Sequence, residues 1–245
     1  MANMKNRWFR FSLRTLLLLV TGLCVWFAWR MNQVRHIRQA VAEVKRLGGD
    51  ISYMHELGVA PPVDPPGPKW FREMFGDEFF EEVGQIQIYN HAADDESMTL
   101  ISALPRIESI IFISDGVTDK GLAALADANG LLALEPLSST ITPAGLRSLS
   151  RAKGLQTLVL SSGHLGGQNR VPSTLVIDDS WLPEIVKLTQ LKYLDLTNSH
   201  VSDAGLEILS TASWLRQLDL RGTSVTKEAI DHLQKALPQC TIKAP

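Results

Sequence analysis

Cysteine is nearly absent: only Cys24 and Cys240 occur in 245 residues, near opposite ends of the chain. So few thiols exclude a disulfide scaffold and a thiolate metal site. Cys24 reads as a small hydrophobe inside an apolar run. The six histidines (His36, His55, His91, His164, His200 and His232) show no HxxxH or HxxE spacing, so no metal site is expected. There is no GxSxG nucleophile turn, no P-loop and no Gly-rich dinucleotide turn. Catalytic residues and cofactors are therefore expected to be none.

What is present is a repeat. Leu191, Leu194, Leu196, Val201, Leu206 and Leu209 return 24 residues later as Leu215, Leu218, Leu220, Val225, Ile230 and Leu233. Stepping backward gives six units starting at Val83, Ile107, Leu131, Leu155, Leu191 and Leu215, with 12 extra residues between the fourth and fifth. A period of 20–29 residues with an LxxLxL core is the mark of a stacked solenoid. Within a unit, Leu194-Asp195-Leu196 alternates as a strand does, leucines inward and Asp195 outward. Thr118-Asp119, Thr142-Pro143, Ser202-Asp203 and Thr226-Lys227 then open a helix: the hydroxyl caps the first turn and an acid meets the helix dipole. Inward strand pairs are expected at Ile86/Ile88, Ile110/Phe112, Leu134/Pro136 and Leu158/Leu160, with Pro136 removing a ladder donor.

The segment LKYLDLTNSHVSDAGLEIL, Leu191 to Leu209, resembles the 24-residue subtype of leucine-rich repeat. The resemblance covers about residues 83–239 and implies an α/β solenoid of strand-turn-helix units on one parallel sheet. The ninth position holds His91, Asp115, Ser139, Gly163, Ser199 and Thr223, so no uniform polar ladder is expected there.

The amino end is of different material. Residues 1–14 are basic, and Thr15 to Trp29 carries no charge. The run is short of the ~20 residues a spanning helix prefers, but Leu13 and a snorkelling Arg14 extend it. A cleaved signal peptide is the rival reading. No small-x-small cleavage site follows the run, and Trp26 and Trp29 suit an interface, so a transmembrane anchor at 15–31 is expected. The start RWFRFSLRTLL also resembles the anchor of membrane-bound leucine-rich-repeat proteins of planctomycete bacteria. Four cations before the run against three after it place the repeats on the extracytoplasmic, periplasmic side.

Residues 1–46 hold nine Lys/Arg and one acid, a net +8, and the remainder nets −10. The basic end suits anionic lipid headgroups, and the acidic remainder argues against nucleic acid. Residues 32–82 form a juxtamembrane helix with Val34, Ile37, Val41 and Val44 on one face, then a short strand, a Pro-rich stretch and an aromatic segment. That segment, with Trp70, Phe71, Phe75, Phe79 and Phe80, is either a membrane or ligand surface or, as expected here, a cap on the first repeat. Residues 83–245 form the repeat domain.

Candidate site residues lie on the outward strand positions, which line the concave face of such a solenoid. Ile111, Ile113, Leu137 and Val159 would form an exposed apolar strip, unless the register shifts at Pro136 and turns Leu137 inward. Tyr193, Asp195, Asp219 and Arg221 extend the face, with both aspartates expected as solvated residues. The insertion at 166–177 offers Asn169 and Arg170, or is an idle surface loop. Asp94-Asp95-Glu96 is better explained by helix capping than by a cation site. The function expected is non-catalytic recognition of a protein partner by a membrane-anchored module. A structural role in the cell envelope, or substrate recognition for a protein-modifying complex, are the alternatives. The sequence assigns no oligomeric state.

Overall fold

The computed structural model describes residues 13–54, 67–76, 79, 82–89, 91–138, 140–161 and 175–244. Its frame is one eight-stranded sheet in sequential order. The strands are β1 (Asp50–Tyr53), β2 (Val83–Ile88), β3 (Ser109–Ile113), β4 (Ala133–Leu137), β5 (Thr157–Val159), β6 (Tyr193–Asp195), β7 (Gln217–Asp219) and β8 (Thr241–Lys243). β1 runs antiparallel to β2, and every later pairing is parallel. Helices α3 (Asp95–Ser102), α4 (Asp119–Leu125), α5 (Pro143–Leu146), α6 (Leu182–Ile185), α7 (Asp203–Leu209) and α8 (Lys227–Ala236) return the chain between strands or follow the last unit. This is a leucine-rich-repeat-like α/β solenoid.

Each unit works as its spacing predicts. Ile110 and Phe112, Leu158 and Leu160, Leu194 and Leu196, Leu218 and Leu220 are all buried against Leu122, Leu125, Leu206 and Leu209 from the helices. Removing one such side chain from water is worth about 1.5–3 kcal/mol, and the stack repeats the gain in every unit. Pairing follows the repeat: Leu134 lies beside Leu158, Leu158 beside Leu194, Leu194 beside Leu218, and Leu218 beside Ile242. Strand β8 thus continues the 24-residue period one step beyond the six units read from the sequence.

Pro136 is buried and leaves a local mark. In later units the sixth-position N–H reaches the next strand: Leu160 to the Asp195 carbonyl at 2.9 Å, Leu196 to Asp219 at 2.9 Å, Leu220 to Lys243 at 2.7 Å. The corresponding bond from position 136 to Val159 cannot form, because proline has no N–H. The β4–β5 ladder accordingly ends at Leu134 and Leu158. On its other side β4 keeps full register with β3, through Phe112 beside Pro136 and Ile113 beside Leu137.

The amino-terminal end of the stack is closed by α1 (Leu13–Arg46), an unbroken 34-residue helix. Its carboxyl half buries Val34, Ile37, Ala40, Val41 and Val44, and Leu47 follows just beyond it. Its amino half exposes leucines and tryptophans, and α1 as a whole is long and apolar enough to cross a membrane. The cap is therefore α1 with β1, and not the aromatic segment expected in that role. That segment, α2 (Lys69–Phe75) with Phe79, packs instead on the middle of α1, through Phe27–Phe75 and Phe27–Phe79 ring contacts. The reason is competition for one surface: a long apolar helix face running on from the exposed amino half of α1 covers the open repeat before a seven-residue helix can.

Candidate functional site on the open sheet face

The helices cover one face of the sheet, and the outward strand side chains line the other. Strand register sets them in rows. The fifth positions run Gln87, Ile111, Glu135, Val159, Asp195, Asp219, Lys243 across successive strands. The third positions run Gln85, Ser109, Ala133, Thr157, Tyr193, Gln217, Thr241. Neighbours in a row stand about 4.8 Å apart, the spacing of hydrogen-bonded strands.

Of the expected apolar strip, Ile111 and Val159 are half-buried on this face, and Ile113 and Leu137 are not part of it. Both are 2 % exposed. The chain leaves the strand at the seventh position, so the alternation lapses there and the burial of β3 and β4 ends in two consecutive buried residues. This holds for β3, which precedes Pro136, as well as for β4, so a slip at the proline is not the cause. Between Ile111 and Val159 stands Glu135.

Asp195 and Asp219 are on the expected face but are not solvated, at 3 % and 1 % exposed. Their neighbours roof them. Arg221 donates to Asp219 through Nε at 2.9 Å and Nη2 at 2.7 Å, while Lys243 Nζ lies 4.0 Å away. Asp195 accepts from the Thr197 N–H at 2.8 Å and from the Tyr193 hydroxyl at 3.3 Å. Burial works to raise the Asp219 carboxyl, but the Arg221 bonds prevail and hold it below its ordinary value. Burial, then the charges of Asp195 and Asp219, push the Tyr193 phenol up to about 12. Arg221 remains half-exposed above the pair.

Glu135 has no such compensation. Its Oε1 is buried without a hydrogen bond. Burial first, and Asp195 second, push its carboxyl up to about 7. The sequence held the cue. Asp219 is followed two residues on by Arg221, whereas Glu135 is followed by Leu137. Tyr89, 40 % exposed, closes the face at its amino end, its hydroxyl donating to Gln87 Oε1 at 2.9 Å.

Asn169 and Arg170 lie outside the described residues. Asp94 caps α3, Oδ1 accepting the Ser97 N–H at 2.9 Å. Among the described residues no group of three or more His, Cys, Asp or Glu is placed to hold a metal ion.

No known family profile matches the chain, and no curated protein matches it. Similar solved structures do exist. One is a leucine-rich-repeat protein of Leptospira interrogans, at 15 % identity and a TM-score of 0.40, over 64 % of this chain and 34 % of that one. Two are internalins of Listeria monocytogenes. Internalin C2 gives 20 % identity and a TM-score of 0.38, over 64 % of this chain and 69 % of that one. Internalin F gives 17 % and 0.38, over 64 % and 44 %. The chain spans about a third of the length of the Leptospira protein.

Proposed function

We propose that this protein is a single-pass membrane protein whose repeat domain recognises a protein partner, without catalysis, on the extracytoplasmic side. The observation that carries the reading is the fifth-position row. Half-buried Ile111 and Val159 flank an unpaired Glu135 oxygen, and Asp219 with Arg221 lies further along the same rigid face. Apolar side chains with a few fixed polar groups, held on stacked strands, suit a partner surface that offers apolar contacts and a donor for Glu135. Tyr193, in the adjacent third-position row, and Tyr89, beside Gln87, supply rigid aromatic area next to the row. The exposed amino half of α1 supports the anchor, and the excess of cations ahead of it supports the orientation.

The test is site-specific photo-crosslinking in intact cells with the full chain. A photoreactive residue at position 111, 159 or 193 should capture one discrete protein, which a residue at 99 or 207 on the helical side should not. Equal capture from both sides, or none from the sheet face, defeats the reading. A reporter joined to the carboxyl end, active only outside the cytoplasm, checks the orientation.

A further inference from the structure

The apolar run in the amino half of α1 is shorter than an average hydrocarbon core. Leu13 to Trp29 is 17 residues, about 25 Å of helix, against a hydrocarbon core of about 30 Å. Where this run ends, a second element meets it. Phe27 packs edge-on against Phe75 at 5.3 Å and lies 5.9 Å from Phe79. Phe71 continues the cluster, 4.5 Å from Phe75 and 5.0 Å from Phe79. Two arginines from the far side of the run fasten this segment by its backbone. Arg30 donates through Nε to the Phe79 carbonyl at 3.0 Å and also through Nη2, and Arg38 Nη2 donates to the Phe75 carbonyl at 2.6 Å. Arg30 also lies 5.5 Å from the centre of the Phe79 ring.

Two features of this assembly are unsatisfied in water. Trp70 and Met74, one turn apart on α2, are 62 % and 67 % exposed. Between Leu23, Cys24 and Ala28 of α1 and Phe71 and Phe79 lies an open groove of about 560 Å³ with an almost wholly apolar lining. Exposed Leu23 and Trp26 line the groove, and exposed Trp29 follows three residues on in the same helix. Tryptophans concentrate where hydrocarbon meets headgroups. Exposed Arg35, on the next turns of α1, lies where an anionic headgroup would meet it.

We infer that α2 and Phe79 form a membrane-interface collar: Trp70 and Met74 enter the bilayer, and an acyl chain of a phospholipid fills the groove beside α1. The collar supplies the apolar height that the run lacks, so the mismatch is met by added protein surface and not by thinning the bilayer. It also fixes the distance of the repeat domain from the membrane, because the same helix continues into the solenoid cap. The inference rests on the proposed anchor, and its test keeps the two apart.

The full chain carrying Cys24→Ser and Cys240→Ala is placed in phosphatidylcholine–phosphatidylglycerol nanodiscs. A nitroxide is attached at one of Leu19→Cys, Trp70→Cys, Met74→Cys or Lys120→Cys. Oxygen, which favours lipid, and a water-soluble nickel chelate report the depth. Positions 70 and 74 should show an oxygen-to-nickel accessibility ratio several-fold above that at 120 and approaching that at 19. A lipid signal at 19 with an aqueous signal at 70 and 74 overturns the collar and leaves the anchor standing. An aqueous signal at 19 overturns both. Shielding of 70 and 74 from both reagents assigns the groove to protein, a second copy or a partner, and overturns the collar too. Should the cysteine variants fail to fold, quenching of native tryptophans by brominated phospholipid decides. Trp70→Phe should remove a measurable share of it, and an unchanged quench counts against the collar.

Discussion

Glu135 is the least compensated charge on the open face, and its protonation should govern local stability. Its carboxyl titrates near 7 in the fold against about 4.5 when unfolded, so between these values the folded chain holds a proton that the unfolded chain releases. Stability contributed by this residue is therefore full below about pH 4.5 and is lost as pH rises to about 7. Glu135→Gln should raise stability at pH 8 by about 1–2 kcal/mol, after allowance for partial exposure, and by almost nothing at pH 4.5. Urea unfolding midpoints of the two chains at both pH values check this. Glu184 has the opposite sign. Bonds from Arg147 and Lys187 lower its carboxyl to about 2, so its contribution is present above about pH 4.5 and fades as pH falls toward 2. A single residue's row and face were legible from the repeat. Its degree of cover was not, because cover depends on which side chain two residues away, or one strand over, folds across it.

At the scale of elements, the helix starts are tied to one another and not only to themselves. The acid at the first helical position, read from sequence as facing its own helix dipole, reaches the next unit. Asp95 accepts from the Thr118 N–H and hydroxyl and from the Gly121 N–H, at 2.8, 2.7 and 2.8 Å. Asp119 does the same for Thr142, Asp179 for Ser202 and Asp203 for Thr226. Thr118 and Thr226 donate to the acid and still accept from their own first turn, while Ser202 and Thr142 make no side-chain cap on their own helices. The first unit has no unit before it, and Glu43 of α1 takes the role by accepting from Ser97 Oγ at 2.8 Å. The clasp also explains the glycines three residues after the clasped Thr or Ser, since a Cβ at Gly145 would collide with the Asp119 carboxylate and one at Gly205 with Asp179.

Gly145→Ala should accordingly cost about 1–3 kcal/mol, an overpacking penalty. The same change made in an Asp119→Ala background should cost much less. Thermal or urea unfolding of the four chains gives the coupling, and strict additivity would refute the clasp. Pro143 stands at the acid's place in the third unit and carries no carboxylate. That junction is held instead by Arg147 on Glu184, at 3.0 Å, and by Gln190 on the Leu149 and Ala152 carbonyls. It is also the junction the 12-residue insertion enters. Period and hydroxyl-acid pairs were visible in the sequence. The partner of each acid was not, because it lies 23 residues away and is fixed only by stacking.

For the whole molecule, one helix is both anchor candidate and cap. Its two halves are told apart by burial: Leu17 and Leu18 are 66 % and 71 % exposed, while Val34 and Val44 are fully buried. A chain beginning at residue 30 should keep the solenoid, since every buried cap residue remains. One beginning at residue 48 should aggregate or unfold, because it bares the first unit's apolar edge at Ile86, Met98 and Ile101. Circular dichroism and gel filtration of the two truncations distinguish these outcomes, and a soluble, folded chain from residue 48 would show that the cap is dispensable.

The sequence by itself determined the solenoid, its period, the inward residues apart from the seventh positions Ile113 and Leu137, and the apolar helix ahead of it. These are local regularities, and a fixed spacing of leucines has only one way to bury them together. Tertiary structure decided which element closes the stack, which acids are roofed and which stand bare, and where the aromatic segment docks. Each of those is a contest between side chains far apart in sequence for the same surface, and only stacking settles which one reaches it.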